Sequence, residues 1–189
     1  MNVQSELELW MIGVAIILGL IGVWWIGRRL IVVWRNYWDS VDEQRQRFEQ
    51  LRQKIRQLPL DEARAQAKQA LLSEWVLEAK PAVPLPPDLI HSLPTTVRQL
   101  AEEYAEIVLL DGSVLFPGRP EPTRWRPNCY RIGWVGEEQA AELVVCSGED
   151  TLYELDWFGS SKELPEVSTY PSIYHWIAYD FALFSEEEP

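Results

Sequence analysis

The chain has 189 residues, room for one apolar segment, a connecting stretch and a single domain of about 100 residues with its own core, and too few for two sizeable domains. Its formal charge of −12 is uneven: residues 1–80 hold 11 Lys/Arg against 10 Asp/Glu, and residues 81–189 hold 6 against 19. The acidic part repels phosphate and anionic lipid, which excludes a nucleic-acid-binding role and favours encounter with a basic protein.

The first element is Leu9 to Ile26, 18 residues without a formal charge. At 1.5 Å per residue it covers roughly 27 Å and reads as a single membrane-spanning helix, with Trp10, Trp24 and Trp25 at its ends where amphipathic rings favour the interface. No Lys or Arg precedes it, whereas Arg28 and Arg29 follow, so the positive-inside rule predicts an inner-membrane, single-pass chain with its N-terminus outside and its C-terminal side in the cytoplasm. An acidic leader and the absence of a small-residue cleavage site set it apart from a secretory signal. Ala15, Gly19 and Gly22 share one face, a small-residue stripe that suits close helix packing in a homodimer.

Residues 31–80 read as a helical arm. Trp34, Val41, Phe48 and Ile55 recur every seven residues with Leu51 and Leu58 beside them, a narrow stripe that fits either a short coiled coil or a helix lying on its neighbour. Pro59 interrupts the pattern, and a second helix over about 60–79, with Leu60, Ala67 and Leu71 on one side, is placed to fold back as a hairpin. Residues 81–88, with four prolines, read as a stiff extended spacer.

From residue 89 the pattern predicts an α+β domain ending near 185, followed by an acidic tail at 186–189. Pro94, Thr95 and Thr96 open a helix with Val97, Leu100, Ala101 and Tyr104 on its buried face. Asp111-Gly112 between two apolar runs predicts a hairpin with a type I′ turn. The loop 117–127 holds Arg119, Arg124, Trp125 and Arg126 on an otherwise acidic domain. Three strands of an antiparallel meander follow, at 129–135, 141–146 and 151–158, then a polar loop at 159–169 and a final helix carrying Ile173, Trp176, Ile177, Phe181 and Phe184. In the strand 151–158, Tyr153, Leu155 and Trp157 alternate with Glu154 and Asp156, which predicts aromatic and aliphatic side chains inward and carboxylates in water.

LPTTVRQLAEEYAE before the sheet, YRIG at 130–133, the strand TLYELDW and YPSIYHWI at 170–177 resemble the SUKH superfamily, which includes cell-wall assembly regulators and bacterial immunity proteins. The resemblance covers about residues 89–184 and implies a fold that acts by binding other proteins, without shared catalytic residues. The anchor, hairpin and spacer fall outside it.

Cys129 and Cys146 lack CxxC spacing and are expected as reduced, buried thiols of a cytoplasmic domain. His91 and His175 lie far apart in sequence, so neither local spacing nor motif predicts a metal site or a cofactor. A hydrolase built from Asp156 or Asp180 with His175 and Cys146 lacks a motif that brings these groups together, and no catalytic residue is assigned. The leading expectation is a membrane-tethered, non-enzymatic protein-binding module of the immunity type, with Glu149, Asp150, Glu154, Asp156 and Trp125 as the surface for a basic partner. The alternative is a structural or assembly factor of a membrane complex.

Overall fold

The computed structural model describes residues 41–157 and 165–187. The chain divides into two units, residues 1–50 and 51–189. Of the first, residues 41–50 are helical and exposed from residue 42 onward. The expected spanning segment, with Trp10, Ala15, Gly19, Gly22, Trp24, Trp25, Arg28 and Arg29, lies outside the described residues. Among the described residues no helix is long and apolar enough to cross a membrane.

The second unit begins inside helix α1 (41–56), which stops three residues before Pro59. Leu51, Ile55 and Leu58, the end of the heptad stripe, pack into the core of this unit. Helix α2 (Leu60–Leu71) follows. Its inward face is Ala63, Ala67 and Ala70, all fully buried, rather than the expected Leu60, which is 46% exposed. Three alanines at i, i+4 and i+7 leave α2 no side-chain bulk on that face, and it lies against the last helix of the chain.

The second arm helix was expected to reach residue 79, but α2 ends at Leu71. The Ser73 hydroxyl donates to the Ala70 carbonyl at 2.6 Å and accepts the Trp75 N–H at 3.3 Å, which turns the chain and delivers Trp75 to the core. Strand β1 (Val76–Pro81) then runs antiparallel to β2 (Tyr104–Leu109). The boundary expected at 81–88 thus falls inside the unit: Pro81 closes an edge strand, and Pro87 starts the short helix α3 (Pro87–Ile90).

Helix α4 (Thr95–Ala101) buries Val97, Leu100 and Ala101 as the pattern predicts, whereas Tyr104 already belongs to β2. The Asp111-Gly112 hairpin joins β2 to β3 (Val114–Leu115). Only Gly112 has a positive φ there, 83°, and the Leu109 N–H donates to the Ser113 carbonyl, so the turn is a three-residue loop with glycine in the left-handed position and not a type I′ turn. Strands β4 (Glu121–Pro122), β5 (Cys129–Val135), β6 (Ala141–Cys146) and β7 (Leu152–Asp156) follow. Part of the expected polar loop is strand β8 (Glu166–Tyr170), paired antiparallel with β7, where Val167, Thr169 and Tyr170 supply β-forming side chains. The sheet order is β1-β2-β3-β5-β6-β7-β8, with β4 on β5, and every pair is antiparallel.

Helix α5 (Ile173–Glu187) is the centre of the core. Seven consecutive residues, Ile173 to Tyr179, are buried, so the helix is covered on more than the single stripe that was expected. Ile107, Leu115, Ile132, Leu143 and Leu152 of the sheet join its core on one side, and α2 covers another. His175 ties down the turn between α1 and α2: one ring nitrogen lies 2.8 Å from the Ser172 hydroxyl and the other donates to the Leu58 carbonyl at 3.0 Å. Three arginines, Arg52, Arg56 and Arg64, sit over the rings of Tyr179, Tyr170 and Tyr174 at 5.2, 5.4 and 5.5 Å. Trp176→Ala is expected to cost ~3–5 kcal/mol and Ala67→Leu ~1–3 kcal/mol, the first by leaving a cavity and the second by forcing α2 off α5, both read by chemical denaturation.

Candidate docking face

The helices cover one face of the sheet. On the other, strand register sets Cys129 opposite Cys146, Arg131 opposite Val144, Val144 opposite Tyr153 and Glu142 opposite Leu155, so these side chains share a face. A second, small core forms there from Cys129, Val144, Cys146 and Leu155, with Trp125 and Tyr153 packed against it. The two cysteines are joined in a disulfide, which corrects the expectation of reduced thiols. Directly opposed positions on neighbouring antiparallel strands bring the two sulfurs together without any short motif spacing in the sequence.

The loop between β3 and β5 wraps over this face. Gly118 passes Ala105 so closely that a Cβ would lie 2.8 Å from its Cα, which only glycine permits. Arg119 and Lys80 both pair with Glu106, fixing the start of the loop to β1 and β2. Farther on, the Thr123 N–H donates to the Cys129 carbonyl at 3.1 Å and the Thr123 hydroxyl accepts the Trp125 N–H at 3.2 Å. The Trp125 ring lies 5.0 Å from that of Tyr153, and the Arg126 guanidinium covers both, at 4.0 and 5.8 Å. Tyr153 donates its hydroxyl to Glu149 at 2.7 Å, and that bond raises the phenol pKa.

Beside this stack lies a polar cleft of about 500 Å³ lined by Pro122, Thr123, Arg124, Arg131, Glu142 and Trp157. Arg131 is fixed between Glu121 and Glu142 and rests 3.9 Å above the Trp134 ring. Arg124 is exposed and has no ion-pair partner among the described residues, and Trp157 is 39% exposed. A larger, more apolar groove of about 650 Å³ lies elsewhere, between residues 82–85 and α4, with Val83, Leu85, Ile90 and Ala101 in its walls.

The residues expected as one acidic surface are divided. Glu149 belongs to the docking face, whereas Asp150 accepts the Thr96 N–H and hydroxyl at 3.2 and 3.3 Å and caps α4. Glu154 lies on the helix side of the sheet, half-buried, and accepts the Tyr170 hydroxyl at 3.1 Å. The expectation that this carboxylate faces water is therefore corrected. The period-two alternation holds, but the strand buries both faces: Tyr153 and Leu155 under the Trp125 loop, Leu152 and Glu154 under α5. Asp156 lies close enough to Glu154 to disfavour its ionisation. Of the expected set, Trp125 and Glu149 meet on one face.

The groups considered for hydrolysis are not brought together either: Cys146 is in the disulfide, and His175 holds the turn between α1 and α2. Among the described residues no cluster of three or more His, Cys, Asp or Glu is arranged to hold a metal ion. The sequence pattern did not bring out Tyr153 as the ring partner of Trp125, nor Arg131 and Trp157 as walls of the adjacent cleft. The signal available was TRWRP followed, across two turns, by aromatics at alternate positions of one strand. No family model, no curated protein and no solved structure matches the chain.

Burial pushes the Glu154 carboxyl above its usual range, and pushes Asp180 well above, with the charges of Asp111 and Glu154 adding to the second. The Asp180 Oδ2 is buried without a hydrogen-bond partner among the described residues. A folded-state pKa raised in this way stabilises the fold below the unfolded value, and the stabilisation is lost as pH rises through the folded value. Asp180→Asn should accordingly raise Tm at neutral pH and have little effect at pH 3, below the ordinary Asp value of 3.8. Glu154→Lys should cost ~1–3 kcal/mol by removing the acceptor of the Tyr170 hydroxyl and setting a second cation near Arg52, whereas Glu149→Lys in the exposed turn should cost under ~1 kcal/mol, both read from urea midpoints.

Proposed function

We propose that the chain is a membrane-tethered, non-enzymatic protein-binding module that docks a protein partner on the sheet face centred on Trp125. The observation that carries this reading is the concentration of Trp125, Arg126, Tyr153, Arg124 and Trp157 on one face, around a cleft. Trp, Tyr and Arg supply most of the energy of protein interfaces, because rigid rings and planar guanidinium groups bury large area at low entropic cost. The resemblance of residues 89–184 to the SUKH superfamily points the same way, and within that group the neutralisation of a toxin domain is the role we favour. The segment at residues 9–26 would hold the module at a membrane surface and raise its local concentration there.

A photo-crosslinking residue at position 124, in the full chain in intact cells, tests the reading. It should capture a discrete second protein, and Trp157→Ala or Trp125→Ala should weaken that capture by ~2 kcal/mol, about thirtyfold in affinity, without loss of fold. A probe at exposed Gln66 on α2 should capture nothing comparable. Capture that is indifferent to both tryptophans would move the binding surface elsewhere, and capture of the chain itself would favour the assembly-factor alternative.

A further inference from the structure

Trp125 does not stand on a strand. It belongs to the loop that enters β5, and this loop is attached beside the disulfide on both strands: Thr123 N–H bonds the Cys129 carbonyl, and Ser147 N–H bonds the Asn128 carbonyl at 2.9 Å. Asn128 itself takes a φ of 60°, a left-handed conformation that Asn adopts more readily than other non-glycine residues and that turns the loop into β5. The disulfide joins the first residue of β5 to the last residue of β6, at the point where the loop meets the sheet. Its two half-cystines are 4% and 8% exposed and form the floor on which the Trp125 ring rests.

We propose that the Cys129–Cys146 disulfide is the fastener of the Trp125 loop, so that the docking face is complete in the oxidised chain and loosened by reduction. Reduction by a dithiol breaks the S–S bond. The reductant delivers two electrons and two protons, each cysteine becomes a thiol, and the reductant leaves as its own disulfide. Two unbonded sulfurs need more room than a bonded pair, and the space beneath Trp125 is already filled by Val144 and Leu155, so the ring and its loop must move outward. A face fastened in this way is complete where disulfides persist, in an oxidising compartment. That the loop is a docking face rests on the function proposed above; that the disulfide fastens it does not.

Trypsin reads the fastening directly. Arg119 and Arg126 each precede a proline, which blocks cleavage, so the Arg124–Trp125 bond is the one site in the loop that trypsin can cut. In the full chain with the disulfide intact this bond should be cut slowly. With dithiothreitol, and in the Cys129→Ser/Cys146→Ser chain, it should be cut about tenfold faster, while cleavage after Arg64 on α2 stays slow and reports that the core is closed. Equal cleavage at Arg124 in the oxidised and reduced chains overturns the proposal. So does faster cleavage at Arg64 in parallel with Arg124, which would make the disulfide a support of the whole unit. A Cys129→Val/Cys146→Val chain that protects Arg124 as well as the oxidised one would overturn it too, since packing alone would then hold the loop.

Discussion

The architecture depends on covering helix α5 on two sides. Its residues from Ile173 to Tyr179 are buried in succession, so the sheet alone cannot satisfy it, and a second layer must supply the remaining contact. That layer is the end of α1 with α2. Alanines at 63, 67 and 70 leave α2 flat on this side, the Leu58 carbonyl accepts from His175, and three arginines cover three tyrosines of α5 and β8. Each cation–π contact contributes on the order of 0.5–2 kcal/mol when partly desolvated, so the set rivals the burial of a large side chain.

With the helices committed to one face, the other face of the sheet is left to a loop. An antiparallel sheet tolerates this, because alternate residues of each strand are then free to build something other than the main core. Here they build a small core of a disulfide, Val144 and Leu155, roofed by Trp125 and Tyr153 and edged by arginines. Four of the six basic groups of residues 81–189, Arg119, Arg124, Arg126 and Arg131, gather at this surface, where Glu106, Glu121 and Glu142 pair with two of them. The disulfide and the arginines after residue 26 make opposite statements about compartment. Flanking charge gave the expectation of a cytoplasmic C-terminal side, whereas disulfides persist in oxidising spaces.

Much of the sheet was legible because its strands are short, alternating and punctuated by turn residues: Asp111-Gly112, Gly136 and Gly148 each mark a turn and each glycine has a positive φ. The break between α1 and α2 was legible from Pro59. What was not legible is what lies against what. Ala63, Ala67 and Ala70 look like propensity rather than contact until α5 is seen against them, and Trp75 and β1 sit in a stretch whose composition reads as helix. Tyr153 and Leu155 alternate with Glu154 and Asp156 as a half-wet strand would, but alternation does not reveal which face is covered. Only tertiary pairing placed Glu154 under Tyr170 and Leu155 beneath Trp125. The cysteines carried no spacing signal, since their proximity comes from β5–β6 register.

Helices α2 and α5 share one core with the sheet and should open with it as a unit. Native-state hydrogen exchange on the full chain tests it most directly. Amides of α2 from Ala63 to Ala70 should exchange only through the same global opening that exposes α5 and β6, with a common dependence on denaturant. If the α2 amides exchange through a separate, low-energy opening while α5 and β6 stay protected, α2 is an independent arm and the shared core is contradicted.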